Sequence, residues 1–322
     1  MTVDQYAQLS NHLMGSAFAV LCIAFVCHLA EWVSVWASRR STEREKALVG
    51  EGAPAVADAP ASAADAPGAP DDAPSGADRL LRVAVSLTVL GAALLVATSV
   101  TRGLATHRAP YGNMYEFGMT GTAIALVVYL VLVWRSHIEW LGGLVLGVCL
   151  AILGMSISTY VPAGPLVPAL NTFWKYVHVS TIMSAAAMFM VGAAASALYL
   201  VKDRAERNGT LGPVLERFPS AARIDQVAFR VNAIGFPLWT FGALISGPIW
   251  AHYAWGRYWG WDPKEVWALI TWIVYAGYLH ARVTAGWKGR RAAYLALIGF
   301  GTFIISYYVI NLFVSGQHSY AQ

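Results

Sequence analysis

Charge is scarce in this 322-residue chain: Asp, Glu, Lys and Arg together make up 12% of it, against 57% hydrophobic residues. A soluble domain carries roughly twice that charged fraction, so the composition excludes an ordinary water-soluble fold and describes a polytopic helical membrane protein. Cysteine is nearly absent as well. Cys22, Cys27 and Cys149 all lie in apolar stretches and none belongs to a C-x-x-C pair. No thiol–disulfide centre or thiolate metal site follows, and the three read as small core residues. No G-x-x-x-x-G-K-[ST] run occurs, so direct ATP use is not expected. There is no internal repeat, no second globular domain and no sign of a nucleic-acid partner.

What remains is mostly apolar helix. Stretches near 13–37, 80–101, 117–134, 138–158, 175–201, 227–247, 264–281 and 291–313 predict an all-α bundle of about eight transmembrane spans. The segment 1–37 reads as a retained anchor, because Asp4 is the only charge ahead of it and basic residues first appear afterwards, at Arg39 and Arg40. Residues 38–79 break the pattern. From Glu51 to Asp78 the only large apolar residue is Val56, and such an Ala/Pro/Asp/Gly run cannot offset its ordering entropy, which predicts a disordered cytoplasmic linker. Residues 80–322 then form a single membrane domain.

The basic residues orient that domain. With the N-terminus outside, 17 of the 22 Lys and Arg fall on inside segments, leaving Arg102, Arg108, Lys175, Arg257 and Lys264 outside. Both termini are then extracytoplasmic, as is the loop 248–265.

That loop is the densest feature of the chain. Trp250, Trp255, Trp259, Trp261, Trp267 and Trp272 fall within 23 residues, and glycines at 256 and 260 let backbone approach a ligand closely. An aromatic belt at a membrane surface explains scattered tryptophans. Trp255, Trp259 and Trp261 within seven residues suit a flat shelf for a large planar ligand. His178, at the outer end of the fifth span, and His318, in the external tail, lie on the same side. Two neutral imidazoles can fill both axial positions of a haem iron if their segments converge; singly, each also reads as an interfacial histidine. Arg257 and Lys264, external cations beside the shelf, suit carboxylate groups on such a ligand. Asp262-Pro263-Lys264-Glu265 has a local reading too, a capping box with Pro at the first helical position. His28 and Glu31 share one face of the first span, where packing hydrogen bonds or an accessory ligand role both stand. His107, Asn113 and Glu116 sit on an external loop.

The run Trp255 to Glu265, continued to Trp272, resembles the tryptophan-rich WWD signature of haem-handling proteins. Together with Tyr278-Leu279-His280-Ala281-Arg282, Gly286-Trp287-Lys288-Gly289 and His318-Ser319-Tyr320, it most resembles the CcsA (ResC) family of the System II cytochrome c synthetase. The likeness is dense from about Asp225 to Tyr320 and looser upstream, where Asn113-Met114-Tyr115-Glu116-Phe117 and the His178 segment also fit. It implies haem b as substrate and ligand, with His178 and His318 as external iron ligands and His280 as the histidine that handles haem within the membrane. It also implies a CcsB (ResB) membrane partner, an apocytochrome c with a C-x-x-C-H motif, thiol-reducing proteins acting indirectly, and residence in the bacterial cytoplasmic membrane. Sixteen residues separate Lys264 from His280, roughly 24 Å of helix, which puts His280 near the cytoplasmic face. The implied function is a holocytochrome c synthase subunit that moves haem outward and holds it for thioether attachment. The alternatives are a CcmC-like haem carrier that forms no bond and a bis-histidine electron-transfer subunit.

Overall fold

The computed structural model describes residues 1–50 (backbone only beyond 37), 75–165 and 172–318. Every regular element among them is helical. In order these are α1 (Val3–Gly50), α2 (Gly76–Thr106), α3 (Met114–Ser136), a short 3-10 turn, α4 (Gly142–Ser158), α5 (Phe173–Asn208), α6 (Pro213–Arg217), α7 (Ala221–Trp239), a π-helical turn (Thr240–Ser246), α8 (Gly247–Trp255), α9 (Pro263–Val283), α10 (Arg290–Ile304), a second π-helical turn (Ile305–Val309) and α11 (Ile310–Phe313). Among the described residues seven helical runs are long and apolar enough to cross a membrane. The remaining expected span, 264–281, is α9, which has the length at 21 residues, about 31 Å, but Trp267, Trp272, Tyr275, Tyr278 and His280 dilute its aliphatic content.

Of the expected linker at 38–79, residues 51–74 lie outside the described residues. On either side, α1 runs on to Gly50, and α2 starts at Gly76 behind a Ser75–Asp78 capping box.

The core forms two clusters. Leu21, Leu95, Met119, Leu126 and Leu146 are fully buried where α1 to α5 meet. A second cluster joins α5, α7, α9 and α10, with Phe189 stacked on Tyr275 at 3.6 Å. Several buried charges sit at the two ends of the bundle in ion pairs, which offset the cost of burial. At one end Arg217 on α6 donates to Glu31 on α1 (2.6 Å) and to Asp78 on α2 (2.7 Å), while Arg282 on α9 holds Asp225 on α7 at 2.8 Å. Glu31 is thus a tie between helices. Its neighbour His28 packs against Gly142, where any side chain would collide with the imidazole.

At the other end Glu116, fully buried, accepts from Arg102 (3.1 Å), Arg108 (2.7 Å) and the N–H of Gly112 (2.8 Å). Both arginines also donate to loop carbonyls, Arg102 to Val161 and Arg108 to Gly164. Asn113 caps α3. These bonds fix the segment 107–113, which forms one wall of the site below.

Candidate functional site

His178 stands nearly two turns after the Thr172 cap of α5. Its Nδ1 lies 2.8 Å from the carbonyl oxygen of Gly242, in the first π-helical turn. A carbonyl only accepts, so Nδ1 carries the hydrogen and the lone pair is on Nε2. π-Helical turns are recurrent at functional sites, and this one lies just past Pro237 within α7. Gly247 follows, and a Cβ there would stand 3.2 Å from the His178 ring. The ring lies parallel to Trp250, with 5.6 Å between centroids and 8° between planes.

The loop beyond α8 is built by backbone chemistry. Gly256, at φ +73°, ends the helix in the left-handed region, its N–H donating to the His252 carbonyl. Trp261, also left-handed at φ +58°, turns the chain into Asp262. The expected capping box is present: Asp262 caps α9, Pro263 takes the first helical position, and Glu265 Oε2 accepts the N–H groups of Asp262 (3.0 Å) and Gly260 (2.8 Å).

Asp262 has a second task. Oδ1 accepts the N–H of Gln317 (2.8 Å) and Oδ2 lies 2.7 Å from His318 Nδ1, which brings the tail back onto the start of α9. There His318 meets Trp255 (4.8 Å between centroids) and Trp250 (5.6 Å), so Trp250 touches both histidines. Burial alone would raise the Asp262 carboxyl, but the bonds from His318 and Gln317 hold it at about 2. For His318, burial lowers the imidazole below its ordinary value and outweighs the opposing pull of Asp262. The pair at neutral pH is therefore a neutral imidazole donating Nδ1–H to a carboxylate, which leaves its lone pair on Nε2 as at His178.

Between these groups opens a cleft whose wall is largely apolar and aromatic. Trp250, Trp255 and Trp259 line it with both histidines, Lys175 and Lys264. The buried N–H of Trp250 has no acceptor among the described residues. A large cleft with an aromatic wall, two imidazoles presenting Nε2 lone pairs and one unspent donor fits a planar metal macrocycle.

The cytochrome c assembly protein family model matches residues 111–318, most of the membrane domain and the whole of this cleft. The chain belongs to that family. Within it the chain is of the CcsA type: the cytochrome c biogenesis protein CcsA of Guillardia theta is 35% identical over 252 residues, covering 72% of this chain and 83% of that protein. The CcsA of Synechococcus elongatus is 42% identical over 199 residues, 49% of this chain and 61% of that one. A solved structure, the cytochrome c haem lyase CcmF, superposes on the whole chain with a TM-score of 0.59 at 16% identity, the chain spanning 51% of its length. That likeness concerns the fold alone.

In this CcsA-type chain the expected site residues separate into groups. His178, His318, Trp250, Trp255, Trp259 and Lys264 converge on the cleft, with Asp262 behind His318. Trp261 does not line it; its left-handed backbone leaves the indole 70% exposed, edge-on to Trp259. Arg257 is turned away over Gly260 and donates to Gln317 Oε1 at 2.8 Å. His280 lies far down α9, exposed on the outer face of the helix two residues before Arg282. Sequence reasoning passed over Lys175, Trp239, Phe303 and Tyr307, which complete the wall. Only Lys175, a charge at the edge of an apolar span, offered a signal.

The lowered His318 value sets an expected pH response. A docked imidazole that resists protonation binds fewer protons than an undocked one, so docking of the tail is constant above about pH 6.5 and weakens as pH falls below it. Asp262 stays ionised throughout that range. A spin label at Ser319 should grow more mobile on acidification to about pH 5. Mobility that is flat, or that rises towards alkaline pH, would contradict the assignment.

Proposed function

We propose that this chain is the haem-handling subunit of a cytochrome c synthetase, holding haem b with His178 and His318 as axial ligands. The observation that supports this most is the matched pair: two histidines from remote parts of the chain, each with Nδ1 tied to an acceptor, meeting one tryptophan on one cleft. Trp250, Trp255 and Trp259 supply the stacking surface, Lys264 pairs with a propionate, and Trp261 and Arg257 form the outer side of the same loop. His280, at the opposite end of the bundle, is the haem entry point from the cytoplasm, its exposed face met by a CcsB (ResB)-type partner. The cleft and both termini face outward from the bacterial cytoplasmic membrane.

The reaction needs no acid or base from this chain. A reduced C-x-x-C-H thiol of apocytochrome c adds across a haem vinyl: an S–C bond forms at one vinyl carbon, the thiol hydrogen ends on the other, and no net oxidation occurs. The protein orients the macrocycle, ligates its iron and excludes competing reactions, while thiol-reducing proteins keep the substrate cysteines ready.

The test is covalent haem on a co-expressed apocytochrome, with and without the partner. Thioether-linked haem that depends on this chain supports a synthetase; transfer of non-covalent haem to another carrier makes it a CcmC-like chaperone. Trp255→Ala and Trp259→Ala should each lower haem content more than protein level, since each removes stacking worth on the order of 1 kcal/mol beyond burial. Variants that keep full haem and merely accumulate poorly identify an interfacial belt.

A further inference from the structure

Lys175 is the odd charge of the cleft. It lies in the first turn of α5, three residues before His178 and so on the same helical face. The residue is 5% exposed and lines the cleft, yet its ammonium makes no hydrogen bond or ion pair among the described residues. Holding an ammonium at a largely apolar cleft without a partner is costly, and the N-terminal turn of a helix is the least favourable place for a cation. Glu116, the acid whose charge acts on it, is committed to Arg102, Arg108 and Gly112. Lys264 repeats the arrangement: it stands in the first turn of α9, lines the same cleft and has no side-chain partner. Glu265, the carboxylate in the wall, spends Oε2 on two backbone N–H groups and pairs with neither lysine.

We infer that Lys175 and Lys264 are a pair of carboxylate receptors, each taking one propionate of the macrocycle, so that the cleft selects a porphyrin with both acids free. The inference rests on the haem reading and adds to it a recognition rule and a residue, Lys175, that fixes how the ring sits between the histidines. Two cations that the fold leaves unmatched are matched only when a dianionic ligand arrives, and charge-assisted bonds in a cleft of this kind are strong.

Soret titrations of the purified full-length complex with iron protoporphyrin and with its dimethyl ester test this. The native protein should bind the diacid at least about tenfold more tightly than the diester. Lys175→Met should lose about threefold for the diacid, one lysine's share of that preference, leave diester binding unchanged and keep a low-spin spectrum, while Lys175→Arg should recover most of the loss. Equal affinity of the native protein for diacid and diester overturns the inference but spares the haem reading. Equal losses for both porphyrins in Lys175→Met also overturn it, because they make Lys175 a support of the fold. If the native protein binds neither porphyrin, the haem reading itself falls.

Discussion

Alanine at His178 or His318 is expected to take haem retention down by about 100-fold or more and cytochrome maturation with it, since losing a ligand costs at least what losing its supporting partner does. The haem that remains should be five-coordinate, since one Nε2 ligand stays in place in either variant. Added imidazole should restore part of the six-coordinate, low-spin spectrum by occupying the vacated position. His280→Ala should fail differently: lying at the far end of α9, it should lower the total haem reaching the complex while leaving the spectrum of what arrives unchanged. Full activity and an unaltered low-spin spectrum in both His178→Ala and His318→Ala would falsify the axial assignment, whatever the family.

How much of this could be read from the chain itself depended on how local each signal was. The spans were legible because an apolar run in a charge-poor sequence has few other uses, and the Asp262-Pro263-Lys264-Glu265 box was legible because a helix start is written in four consecutive residues. Asp262's hold on His318 was not, because its partner lies on the far side of two more helices. Tryptophan density marked a loop that lines the cleft but could not rank its members: a left-handed turn at Trp261 points that indole outward, while Trp250, before the dense run, touches both histidines. Arg257 and Lys264 looked alike as external cations. Only the structure separates them, by giving the guanidinium Gln317 as a partner and leaving the ammonium to the cleft. His28 and Glu31 share a helical face, yet one ties α1 to α6 and the other fits over Gly142. The two π-helical turns left no trace in the composition, and the first of them supplies the carbonyl that sets the His178 tautomer.

Asp262→Ala should therefore cost far more than a helix cap. Loss of an N-cap alone removes about 1 kcal/mol of stability, which a membrane bundle of this size tolerates. The same carboxylate also holds the Gln317 N–H and the His318 Nδ1–H, so alanine frees the tail and leaves His318 in the chain without its orientation. Haem affinity should fall by about 10- to 100-fold, the range for removing the group that aligns a ligating histidine, and the spectrum should resemble that of His318→Ala. Two further variants separate the two tasks. Asp262→Asn keeps a cap and an acceptor oxygen but loses the charge, and should fall between native and alanine. Asp262→Ser still caps α9, but its single short hydroxyl cannot hold both Gln317 and His318, so it should ligate as poorly as alanine while restoring protein level. Should Asp262→Ser instead return the full low-spin spectrum, Asp262 is a helix cap only, and the placement of His318 must be owed to the tryptophans around it.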